Sequence, residues 1–283
     1  MVARDRLMPI ASDLIYDVGL HRGEDTAMYL AQGYRVVAFE ASAEHCAHCR
    51  ERFAGEIVSG RLTIVEGAIT DGDADTVTFY RHSAVSVWGT LDPKWAERNR
   101  VSGESQPVTV DAVDFSTWLA KTGVPFYMKV DIEGADRFCF EALRAFDDRP
   151  AYVSLESNKT ERSCLKAECD FLKELGYNRF AVVQQATIGG STRTVTTRSG
   201  RSIAHHMEDG ASGLFGPDLM RWESRNRALR RYEAIFVLYW LLGDDSRLRR
   251  YRLGTRVLGR LEGLLRVPLP GWYDTHARHH AAS

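Results

Sequence analysis

Two acids, Asp17 and Glu40, bracket a glycine turn in "DLIYDVGLHRGEDTAMYLAQGYRVVAFEAS". Three more, Asp131, Glu133 and Asp136, crowd with Lys129 into "MKVDIEGAD". A carboxylate ending an apolar run, as Glu40 does, can accept two hydrogen bonds from a ribose diol. Asp17 would repel a pyrophosphate but favours an ammonium or a sulfonium. Gly19 lets the backbone turn without a Cβ, and Gly23 leaves room for a ligand or the next helix. A helix starting near Glu24 presents free N–H groups to a polar or anionic group. In "MKVDIEGAD", strand alternation sets Lys129, Asp131 and Glu133 on one face. A carboxylate at a desolvated pocket gains basicity and can remove a proton from a hydroxyl. Asp131 and Glu133 are therefore the candidate catalytic acids. The structural alternative has Asp131 capping backbone amides and Glu133 capping the helix that begins near Ala135.

Glu156, ending "YVSLES", is the matching acid one strand on. Asp131 and Glu156 could hold a divalent cation, but two acids without a third ligand do not favour one, so no metal is assigned. Among the C-terminal histidines, "HARHH" reads as a surface tail. Trp272 and Tyr273 should anchor "GWYDTHA", bringing Asp274 and His276 towards a pocket mouth, with His276 as a third candidate base. Cys46 and Cys49 form a CxxC beside His45 and His48. The remaining cysteine spacing does not complete a zinc site, and reduced structural thiols are the preferred reading.

These groups need a scaffold, and the hydrophobic pattern supplies one. Strands are predicted at "LIYDVG", "RVVAFE", "LTIVEGA", "TVTFYRH", "FYMKVDI", "YVSLES" and "RFAVVQQ". Helices are predicted over Glu24–Gln32, Ala43–Ala54, Phe115–Lys121, Ala135–Phe146 and Glu161–Leu175. Short apolar runs alternating with helices define an α/β domain, a largely parallel sheet with helices on both faces. "TVTFYRH" alternates more strictly and reads as an antiparallel excursion, and Ser83–Pro107 as a long loop. The domain is expected over residues 1–185. Residues 186–283 are expected to form a mixed β/α extension, a lid or substrate-binding region, with helix from Pro217 to Arg266.

In such sheets ligands bind beyond the carboxyl ends of the strands, where the strand order reverses. Dinucleotide binders place G-x-G-x-x-G there. Here the turn is D-V-G-L-H-R-G, with two glycines four residues apart and an acid in front. That disfavours a nicotinamide-dependent oxidoreductase and favours S-adenosylmethionine (SAM). "DVGLHRGEDTAMYLAQGYRVVAFEAS", "EGAITD" and "YMKVDIEGADRFCFEAL" together resemble the FkbM-type methyltransferases over roughly Asp13 to Gln185. The resemblance implies a class I SAM-methyltransferase (Rossmann-like) fold, SAM as cofactor and methylation of sugars or secondary metabolites. It implies that Asp17, Gly19 and Gly23 line the methionine end of SAM, that Glu40 and the adjoining Ala41 lie at the ribose, and that Ala68 and Ile69 lie against the adenine. Ala41 stands where the family often has proline, which leaves the neighbouring acid in place.

Composition bounds the remainder. The formal net charge is −1, with 44% hydrophobic and 27% charged residues, which gives no global case for nucleic acid or acidic membranes as partners. From Ala211 onward 13 Arg and no Lys stand against 7 acids. That leaves open a non-catalytic SAM-fold protein that docks an anionic polymer through Arg-rich C-terminal helices. The longest apolar run, "YEAIFVLYWLLG", is too short to span a bilayer. The N-terminal residues lack a long apolar stretch of the secretory kind, so a cytoplasmic location is expected. The reading is a SAM-dependent O-methyltransferase acting on a hydroxyl of a small molecule or glycan.

Overall fold

The computed structural model describes residues 10–282 except 73, 83–88, 92, 94–96, 98–104, 133, 158–160 and 243–270. Glu133, most of the expected Ser83–Pro107 loop and the expected helix beyond residue 242 thus lie outside the described residues. The chain forms two compact units, one of residues 1–153 with 196–203, the other of 154–195 with 204–283.

In the first unit, strand β1 (Ala11–Val18) leads through a turn into helix α1 (Glu24–Ala31), then β2 (Arg35–Glu40), α2 (Ala43–Arg52), α3 (Ala54–Val58) and β3 (Leu62–Glu66). After β4 (Ala68–Thr70), β5 (Thr76–His82) and β6 (Ser105–Asp114) come α4 (Phe115–Thr122), β7 (Pro125–Val130) and α5 (Asp136–Ala142). The central strands run β3-β2-β1-β7 and pair in parallel. The chain therefore steps outward from β1 to β3 and returns to the other side of β1. This reversal makes the carboxyl ends of β1 and β7 the crevice of the fold.

Sequence accounts for the local elements. β1 and β2 carry apolar runs, Leu14, Ile15 and Tyr16 in one and Val36, Val37, Ala38 and Phe39 in the other, and these residues are all buried, as a strand covered on both faces requires. α2 begins where the Ser42 side chain accepts a hydrogen bond from the His45 N–H, and α4 where Asp114 accepts one from Ser116. "TVTFYRH" is antiparallel, as expected, but its partner β6 was not anticipated. β6 takes in the last three residues of the expected loop and continues to Asp114. Its alternation is broken by Pro107, and its pairing with both β4 and β5 is long-range.

Strand β8 (Tyr152–Glu156) runs from the end of the first unit into the second. The second unit adds α6 (Arg162–Glu174), β9 (Tyr177–Gln184), β10 (Thr192–Thr196), β11 (Ser202–His206), α7 (Arg225–Leu242) and β12 (Tyr273–His279). β12 sits between β8 and β9 and pairs antiparallel with β9 from Tyr273↔Gln184 to His279↔Tyr177. The boundary expected at residue 185 is thus crossed by a strand ladder, and most of "HARHH", expected as a surface tail, is strand continuous with "YDT". Sequence missed this because the pairing joins segments about ninety residues apart. α7 buries Ala228, Tyr232, Ile235 and Phe236, one helical face at four- and three-residue spacing. Tyr232 and Thr275 hydroxyls lie 2.6 Å apart, and both bond the Ser157 hydroxyl, so the buried hydroxyls satisfy one another.

Candidate active site

The expected residues of the first motif converge. Asp17, at the carboxyl end of β1, is 1% exposed, and its Oδ2 accepts a hydrogen bond from Thr26 Oγ1 at 2.6 Å. Among the described residues its Oδ1 has no hydrogen-bond partner, but it faces Lys129 Nζ at 3.7 Å. Lys129, on β7, also lies 3.4 Å from Asp25 Oδ2 and 3.6 Å from Asp131 Oδ2. Three carboxylates thus surround one buried ammonium. Burial pushes the Asp17 carboxyl up to about 6; Lys129 pulls it down, and Asp25 pushes it up again.

Gly19 and Gly23 hold the turn with φ of 94° and 83°, a region that L side chains rarely adopt. A Cβ on Gly19 would stand 2.1 Å from the Asp131 carbonyl oxygen, and one on Gly23 would stand 2.4 Å from the Phe53 ring. Gly23 therefore admits an aromatic side chain from the α2–α3 junction. The Asp131 N–H donates to the Val18 carbonyl, which locks the turn after β1 against the residue after β7.

Glu40 ends β2. Its Oε2 accepts the His21 N–H at 2.8 Å and its Oε1 the Ser42 N–H at 2.8 Å. Each carboxylate oxygen has a second lone pair, so Glu40 is fixed in place and still able to accept from a diol. Ala41 lies in the turn between Glu40 and the cap of α2. Ala68 and Ile69 lie buried in β4, and the preceding Gly67 N–H bonds the Glu40 carbonyl, so the third motif adjoins the second.

Asp131 follows the last residue of β7, its side chain 42% exposed while Lys129 behind it is only 7% exposed. It is the outward-facing acid of the cluster. Asp136 rather than Asp131 caps backbone amides, accepting from the Ile132 and Gly134 N–H groups at 3.3 Å. Burial and the neighbouring Asp131 push the Asp136 carboxyl up to about 6.

His276 departs from its expected role. It lies within β12, 1% exposed, and neither ring nitrogen has a hydrogen-bond partner among the described residues. Asp274, its expected partner, instead accepts a hydrogen bond from Gln185. Burial drives the imidazole down to about 3, so it stays neutral, and a substrate cannot reach either nitrogen there. A residue expected at a pocket mouth is a core position, which removes the basis for assigning it as a base.

Sequence reasoning overlooked Asp25 and Thr26, whose side chains reach back from α1 to Lys129 and Asp17. The three- and four-residue helical spacing after the turn does not by itself show where the first turn of a helix points. Cys46 and Cys49 are buried thiols near the backbone carbonyls of Glu40 and His21, and burial pushes both up to about 12.

A parallel sheet whose order reverses at β1, with an acid-led glycine turn and a second acid ending β2, defines a class I SAM-methyltransferase fold. Residues 17–179 match the family model described as the methyltransferase FkbM domain. The chain belongs to this family of SAM-dependent methyltransferases, as the resemblance implied. A probable ribosomal RNA small subunit methyltransferase A from Haloarcula marismortui is 35% identical over 80 residues, covering 26% of this chain and 28% of the relative. The chain thus spans little more than a quarter of the length of that curated relative. Among solved structures, precorrin 8w decarboxylase from Methanobacterium thermoautotrophicum matches at 13% identity, 70% of this chain, 79% of that chain and a TM-score of 0.37. An O-methyltransferase from Bacillus cereus in complex with SAH matches at 11% identity, 68% and 71% coverage and a TM-score of 0.32. Likenesses of that size say nothing about the substrate of this chain.

The site residues fit SAM. Asp17 Oδ1 is a buried carboxylate oxygen without a hydrogen bond among the described residues, and Glu40 is pre-set by two backbone N–H groups. Among the described residues no group of three metal-ligating side chains is assembled, and no helix is long and apolar enough to cross a membrane.

Proposed function

We propose that this chain transfers a methyl group from SAM to a hydroxyl of a small molecule, a sugar or secondary metabolite, or of a glycan. The observation that carries the reading is the pairing of roles at adjacent strand ends: a buried acid, Asp17, after β1 and an exposed acid, Asp131, after β7, tied to one lysine. Bound SAM supplies a methyl group on a sulfonium. In this reading Asp17 stands at the methionine end, favouring positive charge, and Glu40 accepts from the ribose hydroxyls. Asp131 takes the proton of the acceptor hydroxyl as the oxygen is alkylated, a role worth about 10²–10⁴-fold in rate. Holding the acceptor oxygen in line with the methyl group contributes several further kcal/mol. In this reading the extension, residues 186–283, serves as a lid or substrate-binding region, since acceptor contacts come from variable segments.

RNA is the competing acceptor class, on the strength of the 80-residue match to the relative named for ribosomal RNA. The test is thermal stabilisation by SAM, S-adenosylhomocysteine (SAH), NAD and NADP, followed by SAH release with hydroxylated sugars, phenolic metabolites and ribosomal RNA as acceptors. SAM should raise the melting temperature and the dinucleotides should not. Stabilisation by a dinucleotide alone overturns the cofactor reading. SAH release only with RNA overturns the acceptor reading.

A further inference from the structure

His21 sits between the two glycines of the turn and is the one non-glycine residue with positive φ, at 50°, among the described residues. A β-carbon there costs energy that a glycine would avoid, and such conformations persist only where surrounding contacts hold them. The contacts are specific. The His21 N–H donates to Glu40 Oε2 at 2.8 Å. Its Nδ1 lies 2.9 Å from Glu24 Oε1, a hydrogen bond that requires the proton on Nδ1. Its ring meets the His45 ring edge-on with centroids 4.5 Å apart, and His45 Nδ1 lies 3.7 Å from Glu40 Oε1. Its carbonyl accepts from the Cys49 thiol. His21, His45 and Glu40 thereby close a loop of contacts, and Glu24 joins it through the His21 ring. They are drawn from the turn, α1, the end of β2 and α2.

We propose that His21 is a positioning residue for the ribose end of the cofactor, its backbone aiming Glu40 and its ring bracing Glu40 through His45. The inference rests on SAM being the cofactor and on Glu40 as its ribose acid. Nothing in the turn itself demands an imidazole; glycine would meet the backbone requirement better. The imidazole is explained by its two side-chain partners. Glu24 fixes one edge of the ring, and the ring also packs on His45, whose Nδ1 lies 3.7 Å from Glu40 Oε1.

Three substitutions separate backbone from ring. His21→Gly relieves the positive φ and keeps the N–H while deleting the ring. His21→Asn also tolerates that conformation and restores a short polar group. His21→Ala has neither advantage. Calorimetric titration with SAM and with SAH should show affinity for both falling about tenfold in His21→Gly, even where its melting temperature equals or exceeds that of the wild type. His21→Asn should recover part of the loss. In a double-mutant cycle, Glu40→Gln should cost several-fold less in the His21→Gly background than in the wild type, because the two act as one unit. Unchanged affinity in a folded His21→Gly, or additive losses in the cycle, overturns the proposal. If the wild type binds neither SAM nor SAH, the cofactor reading fails instead, and the two failures are told apart.

Discussion

Lys129 and Asp17 are register partners across the β1–β7 ladder, and their side chains meet at the strand ends with Nζ 3.7 Å from Oδ1. One residue of slippage would turn either side chain to the opposite face of the sheet. The meeting of the glycine-turn acid with the lysine of "MKVDIEGAD" therefore depends on this register, and several expectations depend on the pair.

Lys129→Met should leave Asp17, Asp25 and Asp131 without their shared cation. Breaking a buried ion pair by removing one partner costs about 3–5 kcal/mol. Urea denaturation at pH 7.5 should show that loss, and Lys129→Arg should recover part of it. A stability change under about 1 kcal/mol would mean that the cluster is not held by charge.

The acid side of the stability curve carries the sign of Asp17. Its folded pKa of about 6 lies above the ordinary value of 3.8, so the fold favours the protonated form. The stabilisation from that proton is present below about pH 4 and is lost as pH rises through about 6. Asp17→Asn removes this dependence. Its stability relative to the wild type should rise between pH 4 and 6, as read from denaturation midpoints across that range. A flat difference would place the proton elsewhere, with Asp136, pushed up to about 6, as the next candidate.

Glu40→Ala should weaken SAM binding by about 2–4 kcal/mol through loss of charge-assisted hydrogen bonds. It also frees the His21 and Ser42 N–H groups, so circular dichroism and a melting curve must accompany the titration. A folded variant with wild-type affinity would sink the ribose assignment.

Asp131→Asn keeps the shape of the side chain and removes its capacity to take a proton. Turnover should fall by at least about a hundredfold while SAM affinity changes by less than about tenfold. Activity in EDTA distinguishes the base from a metal ligand, since only the latter is lost. Joint collapse of binding and turnover would make Asp131 a cofactor residue.

His276→Leu exchanges a buried imidazole, without hydrogen bonds among the described residues, for an apolar side chain. Its folded pKa of about 3 lies below the ordinary 6.5, so the neutral ring stabilises the fold above pH 6.5, and that contribution is lost as pH falls towards 3. The variant should match or exceed wild-type stability at pH 7.5 and should hold better between pH 6 and 4. Its turnover should remain within a few-fold of wild type; a loss of a hundredfold would restore His276 to the chemistry.

The sequence by itself determined the elements that depend on near neighbours. The D-V-G-L-H-R-G turn, the apolar run ending at Glu40 and the helices at Glu24, Ala43, Phe115 and Arg162 were legible because glycine conformation, capping and periodicity act within a few residues. The parallel sheet followed from strand and helix alternation. Tertiary structure alone decided which strands are neighbours, and with them what each acid faces. That Asp25 and Thr26 turn back on the β1 acid, that His21 braces Glu40 through His45, and that β12 inserts beside β9 all depend on contacts between distant segments. "GWYDTHA" shows the limit most plainly. Its alternation suits an anchored tail or a strand equally well, and its place between β8 and β9, segments some ninety or more residues earlier in the chain, settles the choice and buries His276.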